Sequence, residues 1–320
     1  MGTPEFAVAS LEALVKAKCN IVGVITSPDK PAGRGMKMQE SAVKKYAVRH
    51  KLKVLQPEKL KNSEFLEELR SLNADLQIVV AFRMLPDVVW NMPPMGTINV
   101  HASLLPQYRG AAPINWAVIN GEKETGITTF KLQHEIDTGN ILLQEKIEIG
   151  ENETAGELHD RLKELGAQTL LKTVEGLANG TLIETSQENI QQSMLNARST
   201  ETSDSRLLTP DSLLLKHAPK IFTKDCNIDW HKSTNEIHDL IRGLSPYPAA
   251  FTELGDKTIK IFHSEKEMSL PTTKIGRWES DKKTYLKFAC KDGYILLKEI
   301  QLEGKKRMNI EDFLRGYKFS

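Results

Sequence analysis

Residues 96–106 have the sequence Gly-Thr-Ile-Asn-Val-His-Ala-Ser-Leu-Leu-Pro, which predicts a short strand that ends in a loop. Because successive side chains of a strand point to opposite faces, Asn99 and His101 share one face and Val100 points into the core. Apolar runs at residues 20–26 and 76–82 alternate with segments of helical periodicity. This alternation predicts an α/β fold, with a parallel sheet that carries helices on both faces. Ligands of such sheets bind beyond the carboxyl ends of the strands, where Asn99 and His101 lie.

An acidic residue, Asp137, follows His101 by 36 positions. An amide, an imidazole and a carboxylate are the groups that acyl transfer to an amine requires. One group holds the oxyanion, one moves a proton, and one orients the proton carrier. A lone histidine at a strand end is more often a structural hydrogen-bonding partner. The Ser-Leu-Leu-Pro segment at 103–106 and the later Asp137 favour the catalytic interpretation.

Four motifs together carry a resemblance: Asn-x-His at 99–101, Ser-Leu-Leu-Pro at 103–106, Tyr-Arg-Gly-Ala-Ala-Pro at 108–113 and Asp-Thr-Gly at 137–139. In this combination the sequence resembles the folate-dependent formyltransferases. Pro-Asp-Lys-Pro-Ala-Gly-Arg-Gly at 28–35 and a long C-terminal extension are similar to the members that act on methionyl-tRNA. The resemblance runs from Met1 almost to Ser320.

The resemblance implies transfer of a formyl group from 10-formyltetrahydrofolate to the α-amino group of methionyl initiator tRNA, for translation initiation. It identifies Asn99, His101 and Asp137 as the catalytic residues. The segment that it assigns to the folate site consists of Ser103, Leu104, Leu105 and Pro106. Proton transfer through His101, Asp137 or a water is compatible with these residues, and the chemistry requires no metal.

A basic segment, residues 30–61, carries ten lysines and arginines against two acidic residues. Such a local surplus suits contact with phosphate groups, although most lysine-rich runs are solvated helix faces. The resemblance implies that the loop around Arg34 contacts the acceptor end of tRNA. We therefore predict substrate-binding roles for Arg34, Lys37 and Lys44, and for Arg109 in the loop beside the active site.

Composition along the chain predicts two domains joined by a linker. Residues 1–187 are expected to form the catalytic, Rossmann-like domain, and the Gln-, Ser-, Thr- and Asn-rich residues 188–216 the linker. Residues 217–320 are expected to form a small OB-like β-barrel that binds tRNA. Its predicted strands are four short runs separated by turn residues, at 258–263, 272–278, 284–290 and 293–300.

The whole chain has 320 residues, of which 40% are hydrophobic and 27% charged, as in ordinary soluble globular proteins. No stretch approaches the roughly 20 apolar residues of a membrane span, and no secretory signal is evident. Three widely spaced cysteines indicate a reducing compartment. We therefore expect a cytoplasmic monomer with no membrane partner. The resemblance further implies a strand immediately before Gly2, upstream of this sequence.

Three alternatives stay open at this point. A formyltransferase acting on a small amine, such as glycinamide ribonucleotide or an amino sugar nucleotide, would share Asn99, His101 and Asp137. A hydrolase of 10-formyltetrahydrofolate would use water and would not need the C-terminal domain. An RNA-binding module without catalysis is disfavoured by the intact Asn, His and Asp set. Affinity for tRNA should fall with added salt through counterion release, whereas affinity for a small amine should change little.

Overall fold

The computed structural model describes residues 1–32, 37–193 and 215–317. The chain folds into two compact units. The first unit comprises residues 1–109, 126–146 and 160–216, and the second comprises residues 110–125, 147–159 and 217–320.

The labelled helices are α1 (Glu5–Lys16), α2 (Ala42–Arg49), α3 (Ser63–Ser71), α4 (Asp87–Trp90), α5 (Pro113–Ile119), α6 (Ala155–Ala178), α7 (Thr234–Leu244) and α8 (Ile310–Gly316). The strands of the first half are β1 (Val24–Ile25), β2 (Lys30–Ala32), β3 (Lys37–Gln39), β4 (Val54–Leu55), β5 (Gln77–Val79), β6 (Thr97–His101), β7 (Arg109–Gly110), β8 (Glu124–Lys131) and β9 (Ile141–Glu148). Those of the second half are β10 (His217–Ala218), β11 (Ala250–Leu254), β12 (Lys257–Glu267), β13 (Trp278–Ser280), β14 (Leu286–Ala289), β15 (Tyr294–Leu302) and β16 (Met308–Asn309).

The sheet of the first unit is mostly parallel around the predicted site. β1 pairs with β4 and β5 pairs with β6, both in parallel. β8 lies antiparallel to β6, with Asn99 opposite Phe130 and His101 opposite Thr128, and β9 follows on the far side of β8. The predicted α/β class is confirmed, and the antiparallel edge formed by β8 and β9 is an addition to it.

Helices cover both faces of this sheet. On one face, Gly166 of α6 packs close to Val100 and to Phe6 of α1. On the other face, Val79 shares a core with Phe65 of α3 and with Val89 of α4. Val79 is the register partner of Asn99, so Asn99 lies on the α3 and α4 side and Val100 on the opposite one.

The first two residues lie between β1 and β5. The N–H of Gly2 donates to the carbonyl of Ile25, and Gly2 forms a parallel bridge with Val80. The α-amino group of Met1 donates to the carbonyl of Ile78 at 2.6 Å. The two residues therefore connect β1 to β5 across the middle of the sheet.

The second unit is built on a six-stranded antiparallel sheet, in the order β11-β12-β15-β14-β13 with β16 added beside β15. The register of β12 shifts around His263, and such irregularities bend a strand and help a sheet to curl. Its core includes Trp230 stacked on Phe288, with ring centroids 4.5 Å apart. The curled sheet agrees with the expected small OB-like fold.

Two local predictions need correction or comment. The run at 272–278 is wrong as a strand: the chain turns at Gly276, whose φ is +79°, and β13 starts only at Trp278. Residues 188–193, in the predicted linker, continue a helical segment that starts at Gln187, and most of that linker, 194–214, lies outside the described residues. The domain bounds 1–187 and 217–320 stay a prediction. Within the described parts of the chain, no helix is both long and apolar enough to cross a membrane.

Candidate functional site

Strand β6 presents two polar side chains on one face of the sheet. The burial of its five residues is continuous except at Asn99, which is half-buried. His101 is 6% exposed, and its ring meets the ring of Phe130 edge-on at a centroid distance of 6.3 Å. Within residues 1–32, 37–193 and 215–317, the side chain of Asn99 has no hydrogen-bonding partner. Its amide is therefore available to a ligand.

The imidazole of His101 lies between a backbone carbonyl and a carboxylate. Nε2 is 3.0 Å from the carbonyl oxygen of Tyr108, and Nδ1 is 4.0 Å from Oδ2 of Asp137. Because a carbonyl oxygen only accepts hydrogen bonds, Nε2 carries a hydrogen. Nδ1 is the ring nitrogen that faces the Asp137 carboxylate.

The loop between β8 and β9 brings Asp137 to this position. Asp137 has a φ of +55°, in the left-handed region that aspartate tolerates better than most residues, and its side chain is 12% exposed. The N–H of Lys131 donates to the carbonyl of Asn140 at 2.9 Å and closes the loop. A Cβ on Gly139 would lie 1.6 Å from the carbonyl oxygen of Lys131, so only glycine fits there. The Asp-Thr-Gly motif therefore combines a carboxylate with the turn that carries it.

Arg109 follows Tyr108 and contacts Gln187, which in turn binds the loop between β8 and β9. Its Nε and Nη2 donate to Oε1 of Gln187 at 3.0 and 2.6 Å. Burial lowers the pKa of the Arg109 guanidinium, and the charges of Asp137 and Glu135 oppose that shift. Since arginine stays charged at neutral pH, a cation accompanies the His101–Asp137 pair.

Tyr108 contacts His101 through its backbone carbonyl. Its φ is +61°, an unusual conformation for a bulky residue, and its N–H donates to the carbonyl of Lys216 at 2.6 Å. In this conformation the Tyr108 carbonyl points at Nε2 of His101. The structure thus places the Tyr-Arg-Gly run beside His101, the histidine predicted to be catalytic.

The segment predicted to line the folate site, residues 103–106, is held by hydrogen bonds to Thr128 of β8 and Gln144 of β9. Of its four residues only Leu104 is half-buried, and Ser103, Leu105 and Pro106 are buried. Oγ1 of Thr128 donates to the carbonyl of Ser103 at 2.6 Å and accepts from the N–H of Leu105 at 3.1 Å. Nε2 of Gln144 donates to the carbonyl of Leu105 at 2.9 Å. Contact of this segment with a folate would involve its backbone and Leu104, and the assignment stays a prediction.

The structure describes only part of the basic segment, residues 30–61. Arg34 and the side chain of Lys37 lie outside the described residues. Nζ of Lys44 is 3.0 Å from Glu40 and is also paired with Asp29, and its side chain is 17% exposed. These ion pairs fix the position of the Lys44 ammonium group. Its predicted contact with substrate is untested.

Sequence reasoning missed three supporting residues: Thr128, Gln144 and Gln187. Thr128 belongs to a strand that the apolar pattern predicts, yet nothing in the pattern singles out its hydroxyl. Gln187 stands at the edge of a polar, low-periodicity segment, where composition conceals a buried side chain that is 2% exposed. Among the described histidines, cysteines and acidic residues, no group of three is placed to hold a metal ion.

Two family comparisons cover most of the chain. The sequence profile of the Formyl transferase family matches residues 1–174, and that of the Formyl transferase C-terminal domain matches residues 220–318.

Curated relatives match almost end to end. Methionyl-tRNA formyltransferase from Parabacteroides distasonis is 53% identical over an alignment of 324 positions, which covers 99% of this chain and 94% of the relative. The protein of that name from Phocaeicola vulgatus is 54% identical over 326 aligned positions, which cover 100% of this chain and 95% of the relative.

Among solved structures, an N-formyltransferase from Helicobacter canadensis, in complex with folinic acid and dTDP-3-aminofucose, superposes with a TM-score of 0.65. The alignment covers 92% of this chain and 96% of that one at 22% identity. At this identity the likeness establishes the fold alone.

Proposed function

Because the chain belongs to the formyl transferase family, we propose that Asn99, His101 and Asp137 form its catalytic centre. The observation that carries this proposal is the placement of His101 between the Tyr108 carbonyl and the Asp137 carboxylate. One nitrogen is fixed by a hydrogen bond and the other faces a counter-ion. Asn99 lies two residues away on the same strand face with its amide available.

The chain transfers a formyl group from a folate-derived donor to the α-amino group of methionyl initiator tRNA. This activity is supported by relatives named methionyl-tRNA formyltransferase, which are 48–54% identical over nearly the whole chain. The donor that we propose is 10-formyltetrahydrofolate. The folate segment that we propose comprises Ser103, Leu104, Leu105 and Pro106, with Thr128 and Gln144 as its anchors.

The chemistry follows from the groups present. A free α-amine titrates at about 7.7–8.0, so a useful fraction is nucleophilic at neutral pH. Its nitrogen attacks the formyl carbon, a C–N bond forms, and negative charge develops on the carbonyl oxygen. The bond from that carbon to N10 of the folate then breaks. The proton lost by the amine replaces the formyl group on N10, so the step involves no oxidation or reduction.

The proposed roles of the side chains are distinct. The amide of Asn99 donates a hydrogen bond to the developing oxyanion, a contribution of about 2.7–4 kcal/mol for one such donor. His101 donates from Nδ1, the nitrogen that faces Asp137, to the same oxygen or passes the proton on. The proton reaches N10 through this pair or through a water that the pair holds.

Contacts with tRNA are part of the proposal. Arg34, Lys37 and Lys44 all belong to the basic segment, residues 30–61, and Lys44 is paired with Asp29 and Glu40. Arg109 places a further cation beside the proposed catalytic centre.

The C-terminal domain, residues 217–320, is proposed to bind tRNA as well. Residues 205–320 carry 21 lysines and arginines against 16 acidic residues. Lys305 and Lys306 are exposed in the turn before β16, whereas Arg307 is paired with Glu299. An exposed positive surplus is what contact with a phosphate backbone requires.

We further propose that the protein works in the cytoplasm as a monomer. The acceptor is a component of translation, and Cys19, Cys226 and Cys290 are all free thiols, as expected in a reducing compartment. A small-amine acceptor is not favoured. The likeness to a sugar N-formyltransferase concerns the fold, while the names of the close relatives specify methionyl-tRNA.

The test is formyl transfer from 10-formyltetrahydrofolate to charged and uncharged initiator tRNA, with the wild type and with Asn99→Ala, His101→Ala and Asp137→Ala. We expect transfer only to the charged tRNA, loss of turnover in each folded variant, and a kcat/KM that falls as salt is raised. Intact turnover in the three variants would remove the proposed catalytic centre. Salt-independent formylation of a small amine, with none of charged tRNA, would remove the proposed acceptor.

A further inference from the structure

Gln187 occupies the centre of a hydrogen-bond cluster behind the proposed catalytic loop. Its side chain is 2% exposed, although it directly precedes the predicted linker, residues 188–216. Nε2 donates to the carbonyl oxygens of Asp137 and Gly139 at 2.8 and 2.9 Å. Oε1 accepts both hydrogen bonds from Arg109, at 3.0 and 2.6 Å. Both hydrogens and both lone pairs of the amide are therefore used.

The partners of Gln187 fix the orientation of its amide. Arginine can only donate and a backbone carbonyl can only accept, so the oxygen must face Arg109 and the nitrogen must face the loop. Among the common side chains of this length, only glutamine offers both groups. Glutamate would place a carboxylate oxygen against two carbonyl oxygens, and methionine would leave all four hydrogen bonds unmade.

The two carbonyls that Gln187 binds bracket the Asp-Thr-Gly motif. Asp137 holds a left-handed φ of +55°, and the contact to Gly139 closes the motif on its other side. Both contacts are made by one nitrogen, so they fix the distance between the two ends of the motif. The direction in which the Asp137 carboxylate leaves the backbone, toward Nδ1 of His101, depends on that turn.

We propose that Gln187 is a positioning residue, which holds the Asp137 loop in the conformation that aims the carboxylate at His101 and ties that loop to Arg109. This inference rests on the proposed catalytic role of Asp137. The hydrogen bonds of Gln187 go to Arg109 and to the backbone of the loop, so it acts on Asp137 through that backbone. Misplacement of a catalytic group by about 1 Å lowers turnover by ~100-fold.

The test compares Gln187→Glu and Gln187→Met with a matched control, Gln77→Met. Gln77 is a buried glutamine of β5, 7% exposed, whose Oε1 accepts from Thr97 at 3.2 Å. Gln187→Glu keeps an acceptor for Arg109 but cannot donate to the loop carbonyls. We expect kcat to fall ~10- to 100-fold in both Gln187 variants, with KM for the formyl donor within about twofold of the wild type. Thermal melting confirms folding, and Gln77→Met should keep the wild-type kcat.

A second readout does not require activity. In NMR spectra of histidine-labelled protein, the ring signals of His101, assigned with the His101→Gln variant, should shift in Gln187→Glu because the carboxylate beside Nδ1 moves. Wild-type kcat in Gln187→Glu, or an equal loss of kcat in Gln77→Met, or unchanged His101 signals would overturn the positioning role. Asp137→Asn, measured in parallel, separates the two proposals. If it retains wild-type kcat, both proposals fall, and if it alone is impaired, only the role of Gln187 falls.

Discussion

The Nδ1 atom of His101 and the Oδ2 atom of Asp137 lie 4.0 Å apart, although 36 residues separate them in the sequence. His101 ends β6, and Asp137 lies in the loop that follows β8, the strand paired with β6. The pairing of His101 with Thr128 therefore fixes the position of β8 beside β6, and with it the point at which the loop after β8 begins. At 4.0 Å the two groups form an ion pair when both ring nitrogens carry a hydrogen.

Replacing Asp137 with Asn is expected to lower kcat by ~10²- to 10⁴-fold, the usual contribution of acid–base groups, because the charge opposite Nδ1 of His101 is lost. The change is isosteric, so KM for the formyl donor should change little. Steady-state kinetics with charged initiator tRNA measure both constants. Glu135→Gln is the matched control, because Glu135 is an exposed acid of the same loop. An equal loss of kcat in both variants would mean that the general charge of the loop, and not Asp137, matters.

Asn99→Ala should lower kcat by ~10²- to 10³-fold through loss of one oxyanion donor. Since Asn99 acts mainly on charge that develops in the transition state, KM should stay near the wild-type value. The half-buried position of Asn99 makes the truncation tolerable for folding. Circular dichroism and single-turnover kinetics give the two measurements. A raised KM with unchanged kcat would instead assign Asn99 to ground-state binding.

The strands that could be predicted from sequence are those that show a regular alternation of side chains and also have a partner strand along their whole length. β6 has the predicted bounds, 97–101, because its alternation is regular and both neighbouring strands pair with it. The apolar run 20–26 forms only a two-residue strand, because its partner β4 reaches only Val54 and Leu55. A run of apolar residues predicts that a segment is buried. The hydrogen bonds that make it a strand depend on a partner strand elsewhere in the chain.

The candidate site divides in the same way. Side chains with distinctive chemistry, Asn99, His101 and Asp137, stand out in the sequence because motifs surround them. Their supports do not stand out, because Thr128 and Gln187 are ordinary polar residues whose importance comes from carbonyl groups that only the folded chain brings near. Tyr108 is intermediate, since its motif was evident but its contribution is a backbone carbonyl.

Thr128→Val is expected to destabilise the protein and to loosen the proposed folate segment. The hydroxyl is fully buried, donates to Ser103 and accepts from Leu105 and Gln144. Valine keeps the shape but leaves these buried groups unsatisfied, so the free energy of unfolding should fall by about 1–3 kcal/mol. KM for the formyl donor should rise as well. Urea denaturation and steady-state kinetics measure the two effects.

The control for this prediction is Thr129→Val. Thr129 is equally buried, points to the other face of β8, and shares a hydrogen bond of 2.8 Å with Thr173 of α6. We expect it to lower stability without changing KM for the donor. A similar rise of KM in both variants would show that general loosening of β8, and not the anchoring of residues 103–106, affects donor binding.

The stability of the second unit should depend on pH through His238, a residue of α7. His238 is 3% exposed, and its ring contacts Ser264 and Asn152 at 3.1 and 3.2 Å. Burial, followed by the charges of Lys266 and Arg242, lowers the pKa of His238 to about 4, against the opposing influence of Asp239 and Glu151. The histidine is therefore neutral in the folded protein throughout the physiological range.

Between pH 6.5 and pH 4 the unfolded chain binds a proton at His238 and the folded chain does not, so the free energy of unfolding falls as the pH falls. The contribution from this residue should be about 2 kcal/mol smaller at pH 5 than at pH 7.5. Urea denaturation followed by tryptophan fluorescence reports mainly on this unit, because it contains three of the four tryptophans, Trp116, Trp230 and Trp278. His238→Gln should flatten the pH dependence, whereas His231→Gln, at a side chain that is 80% exposed, should leave it unchanged. Equal pH profiles for the wild type and His238→Gln would show that other groups control acid stability.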